Sequence, residues 1–181
     1  MEKELTALIN EVGRLESLSM SIYVRFARVF GDDGELKAFW MSMARHEAGH
    51  VGALRLLTLM LEQAGTAIDI PASSQAATAA AKLIDALGAE AEAGVSLDRA
   101  FGIALELESA EFEDLVLDLV HALSDATQRD QAEQMLIHDL SDLSLMIEKH
   151  SDDEVLLEKA DALIESRVDR RESRMVCDGK T

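Results

Sequence analysis

The chain contains one cysteine, one proline, one tryptophan and one tyrosine among 181 residues, and aromatic residues make up only 4% of it. The single cysteine, Cys177, excludes an intrachain disulfide and any metal site built from paired CxxC motifs, and we expect it to have no catalytic role. Scarce proline, together with abundant alanine, leucine, glutamate and methionine, favours helix. The composition therefore predicts an all-α protein.

Positive charge is also scarce, because 17 lysines and arginines are outnumbered by 35 aspartates and glutamates, which gives a formal net charge of −18. Such an acidic chain is not expected to bind nucleic acid or an anionic membrane. No apolar run approaches the ~18 residues that span a bilayer, and the first residues lack the basic start and apolar stretch of a signal peptide. These absences predict a cytoplasmic protein, and the length predicts one domain.

Amphipathic patterns predict five helices. They are expected over residues 4–30, 35–63, 97–123, 129–150 and 151–174. The first turn is short, with Asp32 or Asp33 as the expected N-cap of the second helix. Ser96 is the expected N-cap of the third helix, and Ser151 with Glu154 predicts a capping box at the start of the fifth.

Residues 64–95 form a long connection between the second and third helices. Within it, an alanine-rich piece at 74–87 predicts a short helix in an ordered crossover, with a flexible linker as the alternative, and 88–96 is expected to be a loop. Short turns make the two helices of each half antiparallel, whereas the long connection makes the second and third helices parallel. We therefore expect residues 1–150 to form a four-helix bundle, with an added C-terminal helix and a loose tail over 151–181.

Acidic residues interrupt the apolar stripe of each long helix, and the interruptions keep the same register in the two halves. The positions are Glu16, then Glu47 and His50, and in the second half Glu108, then Asp139 and Asp142. In both halves the second acid follows the first after 31 residues. Because residues three apart lie about one turn apart on the same helical face, each later pair can converge on one ion. Antiparallel pairing then brings all these residues into one layer of the core.

That layer would hold five carboxylates and one imidazole, with Glu111, one turn beyond Glu108, as a candidate seventh ligand. Uncompensated burial of so much negative charge is not tenable. Protonation, water between the helices or bound cations are the three solutions, and the common register on four helices favours cations. Oxygen ligands with a minority of imidazole suit iron or manganese rather than structural zinc. Two divalent ions would balance four of the five charges.

These motifs resemble the rubrerythrin branch of the ferritin-like superfamily. The stretch "RLESLSMSIYVRFA" is similar to its first-helix signature, a ligand glutamate with a tyrosine seven residues later, here Glu16 and Tyr23. The stretch "MARHEAGHVGAL" resembles its second-helix ExxH motif, with Glu47 and His50 as ligands. The stretch "ALELESAEFEDL" resembles its third helix, with Glu108 as a bridging-type ligand.

The resemblance covers about residues 5–150 and implies a ferritin-like bundle with a non-haem di-iron centre that reacts with hydrogen peroxide or dioxygen. It implies that Glu16 and His50 bind one iron, that Glu47 and Glu108 lie between the ions, and that Asp139 and Asp142 complete the second site. Since one cysteine cannot build the rubredoxin-like domain of many rubrerythrins, electrons would come from an external donor protein. Tyr23 would hydrogen-bond the cluster or take part in electron transfer, or else pack with its hydroxyl tied to a carboxylate.

The second half departs from the family, because Asp139 and Asp142 stand where a second ExxH motif is expected. Aspartate is one methylene shorter than glutamate, so the second site would be looser, differently coordinated or empty. A single occupied site, and manganese in place of iron, therefore stay open. His138 would be a substitute ligand if the fourth helix were rotated.

Two other functions also stay open. One is iron oxidation and handling at the same site, and the other is a non-catalytic helical interaction module whose metal site has decayed.

A separate feature is the run of basic residues near the end of the last helix. Its members are Arg167, Arg170, Arg171 and Arg174. Against the acidic remainder, this run predicts self-association as a homodimer, or else a solvated last turn that complements the helix dipole.

Overall fold

The structure, a computed structural model, describes residues 2–60, 70–110 and 126–178. Within these ranges every regular element is helical, so the described part of the chain is all-α, as predicted. The helices are α1 (Glu2–Val29), α2 (Gly34–Met60), α3 (Ile70–Ala93), α4 (Leu97–Glu108), α5 (Ala126–His150) and α6 (Glu154–Asp178). Among them, none combines the length and the apolar character needed to cross a membrane.

Helices α1 and α2 form an antiparallel hairpin. Glu16 of α1 contacts His50 of α2, while Tyr23, further along α1, stacks against Trp40, earlier in α2. The connecting turn is short, and Asp33, one of the two predicted N-caps, begins α2 with its Oδ1 accepting hydrogen bonds from the backbone N–H groups of Glu35 and Leu36. This hairpin brings the middles of the first two helices to the same level.

Helix α4 runs parallel to α2, as expected from the long connection. Phe101 packs against Trp40 with ring centroids 5.4 Å apart, and Glu108, two turns later, interacts electrostatically with Glu47 of α2. Its N-terminus is capped by Ser96, whose Oγ accepts a hydrogen bond from a backbone N–H in the first turn. Glu108 is therefore carried to the depth of Glu47.

Helix α5 runs antiparallel to α2 and is the fourth helix around the interior that α1, α2 and α4 share. Lys149 donates a hydrogen bond of 2.6 Å to Glu35 at one end, and Asp139 contacts His46 near the middle. The last helix, α6, packs against α5 and α4. The described helices α1, α2, α4 and α5 thus all contribute to one interior, with α3 lying against α1.

Aromatic residues fill the core beside this level. Five rings form a continuous set of contacts with centroids 4.7 to 6.3 Å apart. They are Tyr23, Phe26, Phe39, Trp40 and Phe101. Offset and tilted contacts of this kind stabilise a core beyond the burial of area alone, so they fix the spacing of α1, α2 and α4 next to the acidic residues.

The predicted loop at 88–96 is wrong over most of its length, because α3 continues as helix to Ala93. Arg25 of α1 donates hydrogen bonds of 2.7 Å to the carbonyls of Ala91 and Glu92, which satisfies groups that a helix end leaves open. Gly94 then adopts a φ of 94°, a conformation that side-chain-bearing residues avoid, and ends the helix.

The predicted third helix is interrupted after its first twelve residues, since α4 ends at Glu108. The N–H groups of Ser109 and Ala110 bond to the carbonyls of Leu105 and Leu107, in a tight final turn. The Ser109 hydroxyl donates to the Glu106 carbonyl. The Ala110 bond spans three residues rather than four, so the last turn is tighter than an α-helix. Residues 111–125 of the predicted helix lie outside the described residues.

The N-cap of α6 also differs from the predicted capping box. Asp153, not Ser151, accepts hydrogen bonds at its Oδ1 from the N–H groups of Val155 (3.0 Å) and Leu156 (3.4 Å). Ser151 instead accepts a bond from the N–H of Asp153. A carboxylate placed directly before the helix therefore displaces the more distant hydroxyl as cap.

Replacing Asp153 by alanine should lower the free energy of unfolding by about 1 kcal/mol, the usual cost of a lost N-cap. Urea unfolding followed by circular dichroism measures this loss. Asp152→Ala is the matched control, because it removes the same charge one position earlier and leaves the cap in place. Equal losses in the two variants would contradict Asp153 as the cap.

Candidate metal centre

Four helices each bring one buried carboxylate into the same interior. They are Glu16 on α1, Glu47 on α2, Glu108 on α4 and Asp139 on α5, and none is more than 9% exposed. Electrostatic interactions link Glu47 to Glu16 and link Glu108 to both Glu47 and Asp139. Four of the five acids that the sequence predicted at one level therefore lie close enough to interact in a chain from Glu16 through Glu47 and Glu108 to Asp139.

The tightest part of this group consists of Glu16, Glu47 and His50. His50 Nδ1 lies 3.3 Å from Glu16 Oε1 and 3.5 Å from Glu47 Oε2. One ligand atom from each of the three side chains lies within 4.8 Å of the other two. Among the described residues, this is the one set of acidic, histidine or cysteine side chains close enough to share a metal ion.

His46 is a second histidine of α2 that contacts a buried acid of this group. Its Nδ1 lies 2.9 Å from Asp139 Oδ2 on α5. No role was predicted for His46 from the sequence. The available signal was its place directly before Glu47, because neighbouring helical residues point about 100° apart and α2 can therefore direct Glu47 towards α1 and His46 towards α5.

Tyr23 and Glu108 are joined inside the bundle. The Tyr23 hydroxyl donates a hydrogen bond of 2.8 Å to Glu108 Oε1, and both side chains are buried. The tyrosine is thus tied to one of the acids of the layer while its ring stacks on Trp40. This contact orients one carboxylate oxygen of Glu108.

Asp142 does not join the buried group. Its side chain is nearly half exposed and lies 3.4 Å from the largely exposed His138, one turn away on the outer face of α5. Since α5 directs Asp139 towards α2, the rotation of the helix carries both of these residues to the surface. The structure therefore gives neither Asp142 nor His138 the position of a ligand, and Glu111 lies outside the described residues.

Arg167 is buried, contrary to the predicted basic surface at the end of the last helix. It is only 7% exposed, and its Nη2 donates a hydrogen bond of 3.1 Å to the backbone carbonyl of Glu108. Sequence reasoning missed this role because it grouped Arg167 with the other arginines of α6. The only sequence signal was its place among apolar residues of that helix, near Leu163 and Val168.

Burial changes the protonation of two of these acids. Desolvation, and then the charge of Glu16, raises the pKa of Glu47 well above its ordinary value. Desolvation and the charge of Glu47 raise the pKa of Glu108 to about 8, although the hydrogen bond from Tyr23 acts in the opposite direction. In the metal-free chain burial therefore favours the protonated form of both carboxyl groups, and a cation that binds them has to displace the proton.

Comparison of the chain with models of protein families, with curated proteins and with solved structures finds no match. The resemblance to rubrerythrins therefore rests on the sequence motifs alone.

We expect the metal-free protein to lose stability as the pH rises from about 5 to about 8, because Glu47 and Glu108 bind protons more tightly in the fold than in the unfolded chain. A raised carboxyl pKa contributes stability that is complete below the ordinary value of 4.5 and is lost as the pH passes through the raised value, about 8 for Glu108. Between these two values Glu108 lowers the free energy of unfolding by up to about 1.4 kcal/mol per pH unit, and Glu47 acts in the same direction. Urea unfolding at successive pH values measures the slope.

Glu108→Gln should make this slope shallower, because it removes one of the two titrating groups and keeps the shape of the side chain. Glu106→Gln is the matched control on α4, since Glu106 pairs with Arg99 on the outer side of the helix. A slope that is unchanged in Glu108→Gln, or that rises with pH in the wild type, would contradict the raised pKa values.

Proposed function

We propose that the chain binds a divalent first-row metal ion through Glu16, Glu47 and His50. The observation that supports this proposal is the convergence of two buried carboxylates and one imidazole within 4.8 Å. Two hard oxygen ligands with one nitrogen suit iron or manganese better than a structural zinc site, which prefers sulfur and nitrogen. The metal would enter a site whose ligands are held by packed helices before it arrives.

Charge balance is the physical reason for a cation here. Glu16 and Glu47 are almost completely buried and repel each other when both are ionised. A divalent ion would replace the proton on Glu47, satisfy both carboxylates and accept a lone pair from His50. His50 is about one-third exposed, so this side chain lies at the solvent edge of the site.

We further propose that Glu108 and Asp139 extend this site to a second ion, with Glu47 between the two, and that the natural metal is iron. The function would then be that of a rubrerythrin-like, non-haem di-iron oxidoreductase in a ferritin-like bundle. Bound iron would supply the electrons that reduce hydrogen peroxide or dioxygen. Tyr23 would hold Glu108 in place by its hydrogen bond, and an external donor protein would return the electrons.

Metal binding is tested first, with iron(II) and manganese(II) added separately to the anaerobic metal-free protein. Glu47→Gln and His50→Ala should each weaken binding by at least about 10-fold, because each removes a ligand. Asp142→Asn and His138→Ala are the controls, since both residues lie on the outer face of α5. Equal affinity in the wild type and in Glu47→Gln would contradict the proposed site.

The activity is tested on iron-loaded protein with hydrogen peroxide and a chemical reductant as the external donor. Repeated peroxide consumption supports the oxidoreductase, and Tyr23→Phe should lower the rate while the iron content stays the same. A single round of iron(II) oxidation without turnover would support iron handling instead. Failure to bind either metal, with the fold intact, would leave the non-catalytic helical module as the function.

A further inference from the structure

The end of α4 depends on a residue that is distant in the sequence. The last four carbonyls of a helix lack partners within it and need other donors. In α4 the first three have the local partners described above, which come from Ser109 and Ala110. The fourth carbonyl belongs to Glu108, and among the described residues the donor that bonds it is Arg167, 59 residues further along the chain.

Arg167 suits this position for two reasons. Its guanidinium is always charged and has several N–H donors, so it can complement the negative end of the α4 dipole while bonding the terminal carbonyl. It is also the one buried basic side chain among the described residues, close to a backbone that carries a buried acid. Leaving a buried carbonyl without a donor is costly, and the loss of Arg167 would therefore act directly on Glu108.

The cap that Arg25 makes at the end of α3 can be compared with the cap that Arg167 makes at the end of α4. Arg25 bonds the last carbonyls of α3 in the same way, yet the residues it contacts, Ala91 and Glu92, belong to no acidic layer. Arg167 instead bonds the residue whose side chain accepts the Tyr23 hydrogen bond. The Arg25 contact thus caps the end of α3 only, whereas the Arg167 contact caps the end of α4 and also bonds a residue of the candidate site.

We propose that Arg167 is a positioning residue, which fixes the end of α4 and so holds the Glu108 carboxyl group against Tyr23 in the interior of the bundle. Helix α6 is then part of the candidate centre, through one guanidinium, rather than only an added outer helix. The proposal concerns the metal-free chain. Its test is therefore independent of whether the protein binds a metal.

The single tyrosine of the chain provides the test. The ultraviolet resonance Raman doublet of tyrosine reports whether its hydroxyl donates a hydrogen bond, and here every tyrosine signal comes from Tyr23. Glu108→Ala, in metal-free protein at one pH, gives the reference for the broken bond. Arg167→Met should move the doublet most of the way to that reference, and Arg167→Lys, which keeps a charge and a donor, should restore much of the wild-type value.

Arg99→Met is the control for a general loss of stability. Arg99 lies on α4, and its guanidinium bonds the carboxylates of Glu90 and Glu106. Its removal leaves the hydrogen bond to the Glu108 carbonyl in place. The doublet of Arg99→Met should remain that of the wild type. If Arg167→Met does not fold, Arg167→Leu, which also lacks a donor, takes its place with the same expectation. A wild-type doublet in the folded Met or Leu variant would overturn the proposal.

Discussion

The burial of carboxyl groups from four different helices at one depth is the constraint on which the rest of the arrangement depends. An ionised carboxylate loses several kcal/mol of hydration in a protein interior, and neighbouring acids add repulsion. The aromatic contacts among α1, α2 and α4 hold these helices together despite that cost. Protons on Glu47 and Glu108 and the hydrogen bond from Tyr23 relieve it in the metal-free chain.

The depth of the acids was predictable because it follows from distance along the chain. A helix rises by a fixed amount per residue, so the short turn between α1 and α2 brings Glu16 and Glu47 level whatever the details of packing. The repeat of the 31-residue spacing in the second half indicated the same depth for Glu108 and Asp139. The rotation of each helix about its axis was not predictable in this way. This rotation places Asp139 in the interior and Asp142 at the surface, and it brings His46 into contact with α5. Apolar periodicity does not fix that angle closely enough to choose between neighbouring positions.

The ends of the helices were also predictable only in part, where the capping residue is close in the sequence. Asp33 caps the helix that begins beside it, and such local contacts can be read from the sequence. Arg25 and Arg167 bond carbonyls 66 and 59 residues away, and no local pattern indicates either contact. The extent of α3 and the end of α4 were therefore mispredicted, although the helices themselves were expected. Tertiary contacts act at both ends together with local features such as the positive φ of Gly94, and the tertiary part cannot be read from propensity.

The stacking of Tyr23 on Trp40 gives the protein an intrinsic optical reporter. The two rings lie 6.1 Å apart at an interplanar angle of 17°, and they are the sole tyrosine and the sole tryptophan of the chain. The indole is fully buried, so its emission is shielded from water. Any rearrangement at Glu108 is separated from this fluorophore by one hydrogen bond and one ring contact, which makes events in the interior observable without an attached dye.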